Sequence, residues 1–496
     1  MFSSRTQHIL SFGLLAGLYM LFPNQNQGID AWGYAAQIKW GQELFLHHHL
    51  LYNAFWYAMF QTVHAFLPMV DAMRFLQFGN ACTALACLWQ LRLVLRDLGR
   101  DQTESLLWVF LVGLSFGVWR YAVDNETYLL PIFFSLLGSR FFLKASGKGA
   151  ILMIAGSFAA MAMLFHQIHL FWWIGLALAG LWCFGWKKAA VFVLPAIVVP
   201  LVYLLAMHVY WGESLGGEQI IRFVLHDFYG ETTDSGIALK HFLLTPVNLF
   251  RSFLQVHGQV WVLLQKFPAF WIVGLIAISS LLIGLWHSRR LIFRQKQIHQ
   301  TFIRIHIGIF VLQLLFAFYA AGNAEFMVML PFLLAIIVST HIQLPQKSLL
   351  YLMMGFLLWN GSFSIIPNAL SDWFGSHQVV NEIVHKPDQR LLLADKNIIA
   401  NRLWYQSGVE WGETMISYTP DQPENMMEWM RQFPPETTFL TNVPDYPVWL
   451  DRARILSAPE QARSFFPESI KKTKTIRCGL GQYGLYTFSV TDFAKK

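Results

Sequence analysis

A carboxylate standing just beyond an apolar run opens the chemistry of this chain. The run ending at Pro23 is followed by Gly28-Ile29-Asp30-Ala31-Trp32-Gly33-Tyr34, with aromatics two and four residues after the acid. Such a carboxylate can take a proton from an incoming hydroxyl. Asp is also a favoured helix N-cap, so Asp30 capping a helix that starts at Ala31 is the structural alternative. The two roles are compatible. Next comes His47-His48-His49-Leu50-Leu51-Tyr52-Asn53, and a second acidic patch at Arg120-Tyr121-Ala122-Val123-Asp124-Asn125-Glu126-Thr127-Tyr128, where Arg120 can pair with Glu126.

A third group is His166-Gln167-Ile168-His169, whose histidines at i and i+3 can share a helix face and bind a metal or a phosphate. A long fourth segment carries Glu218, Arg222, His226, Asp227, Tyr229, Lys240, His241 and Arg251. Its cations are isolated and suit one or two phosphate oxygens each. A fifth turn, Gly322-Asn323-Ala324-Glu325-Phe326, leads into Met329-Leu330-Pro331. No phosphate-binding glycine loop, serine-hydrolase elbow or zinc-protease motif is present.

The elements that must position these groups follow from composition. The chain has 496 residues, 55% hydrophobic and 13% charged, with mean hydropathy +0.43. Soluble proteins carry about 25% charged residues. Half that amount excludes disorder, a fibrous repeat and a plain cytosolic enzyme, and leaves a polytopic α-helical membrane protein. Eleven apolar stretches are expected to cross: 8–22, 73–91, 105–119, 128–143, 149–165, 170–185, 189–208, 268–286, 301–319, 326–342 and 348–366. The first reads as a retained transmembrane helix, since no small-x-small cleavage site stands clearly after it.

Connecting loops sort by charge. Of 22 basic residues before position 368, 15 fall on one side, including Arg92, Arg96, Arg100, Arg140, Lys144, Lys148, Arg289, Arg290 and Arg294. That side is cytoplasmic by the positive-inside rule. The opposite side receives 11 of 14 acidic residues, and with them every group named above. This scheme needs residues 51–67 to lie flat on the outer membrane surface.

Residues 368–496 differ, with 14 basic and 15 acidic residues. They form a second, extracytoplasmic α/β domain, after a transmembrane domain over 1–367. Its expected strands are 390–394, 437–441 and 483–490, with helices over 397–405 and from 445–450 onward. The formal net charge of +7 comes from the membrane part and reflects topology and lipid contact, so no nucleic-acid partner is expected. Cys82, Cys87, Cys183 and Cys478 show neither disulfide nor zinc spacing.

The order of these features resembles the C-type glycosyltransferase superfamily, in particular its protein O-mannosyltransferase and aminoarabinose-transferase branch. The features are an outer-loop Asp after the first helix, a His-rich Leu-Tyr segment, and an outer Asp/Glu-Tyr patch. A Leu-Pro helix and an external C-terminal α/β domain follow. That branch often has two adjacent acids and His-Pro-Pro-Leu where this chain has Asp30-Ala31 and His48-His49-Leu50-Leu51. The resemblance implies transfer of a sugar from a polyprenyl-phosphate carrier to an acceptor hydroxyl on a glycan, lipid or protein, with inversion if a single base acts.

It also implies Asp30 as the base. Glu126 or Asp124 then orients the acceptor or, with Asp30, holds a divalent cation. Arg222, Arg251, Lys240 and His166 are candidates for the phosphate, and His49, Tyr52, His169 and Glu325 complete the expected substrate-binding set. The expected location is a bacterial inner membrane, with 368–496 in the periplasm or otherwise outside. The rival readings are a lipid-glycan flippase or transporter, a ligase or polymerase using lipid-diphosphate glycans, and a non-catalytic scaffold.

Overall fold

Helices occupy all eleven apolar segments in the computed structural model, which describes residues 4–226, 236–256, 259–294, 300–419, 421–446, 459–479 and 481–493. The chain begins with α1 (Ser4–Leu21), α2 (Ile29–Trp40), α3 (Tyr52–Phe66) and α4 (Ala72–Asp97). There follow α5 (Gln102–Gly113), α6 (Phe116–Ala122), α7 (Leu129–Lys144), α8 (Gly149–Phe165) and α9 (Leu170–Phe184). Among the described residues seven helices are long and apolar enough to cross a membrane, and α5 with α6 makes an eighth if the bent pair is one span. The others are shorter, α7 having 16 residues and α8 having 17.

The chain divides into two units: Met1–Pro23 with Glu43–Ile366, and Asn24–Gln42 with Pro367–Lys496. Charge composition does not reveal the excursion of 24–42 into the second unit.

In the first unit helix starts are capped as their sequences dictate. The Asp71 side chain accepts from the Arg74 amide at α4, and Asp101 from the Glu104 amide at α5. Close helix approach depends on glycine. A Cβ on Gly156 of α8 would lie 1.9 Å from the Phe192 carbonyl oxygen, and one on Gly175 of α9 would lie 2.4 Å from Ile309. Lipid supplies no hydrophobic drive between helices, so such small-residue contacts carry the packing.

The α5–α6 pair bends by 71° at Leu114–Ser115. Its backbone groups find partners in neighbouring elements: Asn360 donates to the Leu114 carbonyl, and the Phe116 and Gly117 amides donate to Phe253 and Ser252. A break at this depth is tolerated because none of these groups faces lipid. The bend delivers α6 to the acidic turn at 124–126.

The basic loops meet at the opposite end. Asp97 takes Arg140 at 2.8 Å and Lys144 at 3.1 Å, Glu104 takes Arg294 at 2.7 Å, and Arg100 donates to the Ser339 carbonyl. There a two-stranded antiparallel ladder joins β1 (Ile292–Phe293) to β2 (Ile342–Gln343). Helix α3, 15 residues long, buries Tyr52, Asn53, Trp56 and Phe60 and exposes Phe55 and Met59, with Phe66, Leu67 and Met69 exposed at its end.

The second unit holds a five-stranded sheet in the order β4 (Met415–Ser417), β3 (Arg390–Leu393), β5 (Thr438–Thr441), β7 (Gly481–Ser489), β6 (Lys471–Cys478). Strands β3, β4 and β5 are parallel, and β7 runs antiparallel to β5 and β6. The sequence pattern finds β3, β5 and β7 but not the other two. β4 is only three residues long, and β6 is a polar edge whose first five residues are exposed, so neither carries a hydrophobic signature. The helix expected over 397–405 spans Lys396–Ser407 and ends at Gly408, φ +76°. The segment expected to lead into a helix from 445 begins as a tight turn at Val443–Asp445, and its part beyond 446 lies outside the described residues.

Candidate active site

At the end of the first unit away from the basic loops, three turns and two helices gather a set of largely buried polar side chains. The turn after α6 is its centre. Asp124, Asn125 and Thr127 are fully or almost fully buried, and Glu126 is 6% exposed. Arg120, one helical turn before Asp124, pairs with it at 3.6 Å, and Asp124 Oδ1 accepts the Asn125 amide at 2.9 Å. The ion pair expected between Arg120 and Glu126 is thus made with Asp124 instead, because i,i+4 spacing places that acid beside the guanidinium. A buried carboxylate requires such partners.

Two side chains from other elements fix the backbone of this turn. Asn80, in the middle of α4, donates its amide to the carbonyls of both Asp124 and Glu126 at 2.9 Å. Tyr52, at the start of α3, donates its hydroxyl towards Asn125 Oδ1 at 3.2 Å and the Glu126 carbonyl at 3.1 Å. Asn80 was not singled out from the sequence, although a lone Asn inside an apolar stretch is the kind of signal that marks intramembrane function.

An aromatic and imidazole layer covers the turn. The Tyr128 ring lies 5.2 Å from His166, His166 lies 5.7 Å from His49, and His49 lies 4.1 Å from His48. Burial, followed by the neighbouring His48, His166 and His47, holds His49 well below the usual imidazole range, so it is neutral at pH 7. The Tyr128 hydroxyl donates to Glu325 Oε2 at 3.2 Å, and Asn323 caps the short turn bearing that acid. Arg251, partly buried at the end of the helix Leu239–Arg251, lies over the Phe116 ring at the start of α6.

The structure therefore brings together Tyr52, Asp124, Glu126, His49, His166 and Glu325. Others stand apart. His169 does not share a face with His166: its ring stacks on Trp172, and Nδ1 lies 2.7 Å from the Ser135 hydroxyl among the buried helices. His166 is extended, φ −162° and ψ 123°, and stands outside the tight turn Gln167–His169, so the helical i,i+3 relation does not link the two imidazoles. Arg222 is exposed and pairs with Glu218 one turn earlier at 2.8 Å, and Lys240 is exposed. Asp227 and Tyr229 lie outside the described residues.

Asp30 belongs to the second unit. It is exposed in the first turn of α2, whose N-cap is Gly28 with no side-chain bond. The capping role expected for Asp30 is thereby corrected, since the helix starts at Ile29, two residues earlier than expected. A carboxylate in a first turn is still favoured by the helix dipole. Among the described residues no group of three or more His, Cys, Asp or Glu side chains could hold a metal ion.

No family model matches the chain, and no curated protein matches it. Among solved structures it is similar to ArnT from Cupriavidus metallidurans bound to undecaprenyl phosphate, with 11% identity over 98% of each chain and a TM-score of 0.47. It is similar to the Archaeoglobus fulgidus oligosaccharyltransferase in complex with zinc and sulfate, with 12% identity over 96% of this chain and 72% of that one, TM-score 0.49. It is also similar to the same organism's AglB in complex with an inhibitory peptide and a dolichol-phosphate, with 10% identity over 97% and 74%, TM-score 0.48.

Proposed function

We propose that this chain is an integral-membrane glycosyltransferase that moves a sugar from a polyprenyl-phosphate carrier to an acceptor hydroxyl on the extracytoplasmic face. The observation that carries the reading is the buried cluster of Asp124, Glu126, Tyr52, His49, His166, Tyr128 and Glu325, at the end of the apolar helices opposite the basic loops. A flippase moves its cargo through the bundle, whereas this cluster sits at one end of it, where a headgroup is handled.

In this reading Asp30 takes the acceptor proton as the acceptor oxygen bonds to the anomeric carbon. The bond from that carbon to the carrier phosphate breaks, and polyprenyl phosphate leaves as the anion. Asp30 suits the task because it is an exposed carboxylate in the first turn of a short helix, open to an incoming hydroxyl. Arg251 holds the departing phosphate, with His166 as a neighbouring donor, and Glu126 orients the acceptor. Asp124, tied to Arg120 and to the Asn125 amide, shapes the turn. Arg222 and Lys240 guide the anionic headgroup from the exposed outer segment. A single displacement inverts the anomeric carbon.

Residues 368–496 lie outside the cytoplasm in this reading, the membrane being a bacterial inner membrane. The test is stereochemical. Purified protein is given a radiolabelled polyprenyl-phosphate sugar of defined anomer with membrane extract as acceptor source. A product of opposite configuration agrees with the reading. A product of retained configuration, or no transfer from any carrier-linked sugar, contradicts it.

A further inference from the structure

Helix α2 has little of its own to hold it in place. It is 12 residues long, contains Gly33, lacks a side-chain cap at its start and stops at Gly41 in the left-handed conformation, φ +70°. Isolated helices of this length are marginal in water. Its direction, and with it the direction of Asp30, must come from packing.

One element of the second unit supplies that packing: the helix Lys396–Ser407, which follows β3. Its contacts bracket Asp30 in sequence. Asn401 Nδ2 donates to the Ile29 carbonyl at 2.9 Å, one residue before Asp30. The Arg402 guanidinium lies 4.4 Å above the Trp32 ring, two residues after it, and Tyr405 meets the same indole edge-on at 5.2 Å. Gly33 faces Asn401, whose amide nitrogen would lie 3.2 Å from any added Cβ.

The far end of α2 is tied to the same helix. Lys39 Nζ donates to the Tyr405 carbonyl at 2.9 Å, the Trp40 indole donates to the carbonyls of Trp404 and Tyr405, and the Trp404 indole donates to Gln42 Oε1 at 2.7 Å. Arg402 is itself fixed by a 2.6 Å bond to the Ser376 hydroxyl. All of these bonds leave Asp30 exposed while fixing the backbone on both sides of it.

We propose that Asn401 and Arg402 are positioning residues, and that the C-terminal α/β fold serves as the mount that aims Asp30. This rests on the reading of Asp30 as the base. It assigns the soluble fold a task in the reaction without giving it a substrate of its own.

Two readouts in the full-length protein separate this inference from that reading. The first is the mobility of a spin label on Asp30→Cys, with Cys82, Cys183 and Cys478 replaced by Ser so that only the buried Cys87 remains. The second is the rate of transfer from a radiolabelled polyprenyl-phosphate sugar in proteins that keep Asp30. In Asn401→Ala and in Arg402→Ala the label should loosen, and kcat should fall about ten- to a hundredfold while KM for the donor holds. Arg402→Lys keeps a cation over Trp32 and should recover most of both.

Asn401→Ala removes a single, partly exposed amide, so it keeps the test valid if Arg402→Ala fails to fold. A label as immobile as in the parent overturns the inference, whatever the rate. A loosened label with undiminished transfer instead overturns the assignment of Asp30 as base.

Discussion

The Tyr128 hydroxyl donates to Glu325 at 3.2 Å, joining two outer turns that lie 197 residues apart in the chain. Six apolar helical segments separate them, yet the phenol and the carboxylate share one layer with His166. If this contact orders the layer, Tyr128→Phe and Glu325→Gln should each lower thermal stability by about 1 kcal/mol. The double variant should cost less than the two single changes added together. Additive losses in a double-mutant cycle would show that the two groups do not act on each other.

Arg251 and Arg222 looked alike in sequence, as single cations in one outer segment. Their surroundings separate them. Arg251 is partly buried beside α6, whereas Arg222 is exposed in an i,i+4 pair with Glu218, an arrangement worth about 0.3–0.5 kcal/mol. Arg251→Ala should weaken donor use by about tenfold or more, with Lys substituting poorly because it cannot grip two phosphate oxygens at once. Arg222→Ala should change it little at physiological salt. Donor titrations of both variants check this, and equal losses would return Arg222 to the phosphate site.

His49 makes stability depend on pH with a definite sign. It is neutral in the folded protein because its affinity for a proton is lowered by burial and by His48, His166 and His47. Unfolded, it titrates near pH 6.5. Below that pH the unfolded chain binds the proton first, so stability is lost as pH falls through about 6.5. Thermal midpoints measured in detergent from pH 7.5 to 5.5 should drop, and His49→Gln should flatten the drop by about 1 kcal/mol. An unchanged slope in that variant would place the titrating group elsewhere.

Much of this architecture was legible in the residues. All eleven apolar runs are helices, and the loop motifs singled out in the sequence include Tyr52, Asp124, Glu126, His166 and Glu325, which the first unit brings together. Three things were not legible. The 71° break at Leu114–Ser115 depends on partners from 252–253 and on Asn360, which no local pattern announces. His169 looked like a loop ligand because the i,i+3 rule assumes that both residues are helical, and His166 is extended, φ −162°. The segment 24–42 reads as an ordinary loop by charge, yet it packs with residues that follow it by more than 340 positions, through bonds such as Gln25 to Asn368 and Trp40 to Trp404.

The central claim is that Asp30 is the general base of a carrier-dependent sugar transfer. The most direct measurement compares the parent with Asp30→Asn, purified in matched amounts and given the same radiolabelled polyprenyl-phosphate sugar and membrane acceptors. Asn has nearly the shape of Asp and can keep its hydrogen bonds, so the substitution should leave α2 and membrane insertion intact, which circular dichroism and detergent gel filtration would verify. The account predicts that label transfer falls by about 10²-fold or more, because an amide cannot accept the hydroxyl proton. Transfer by Asp30→Asn at the parent's rate would contradict it.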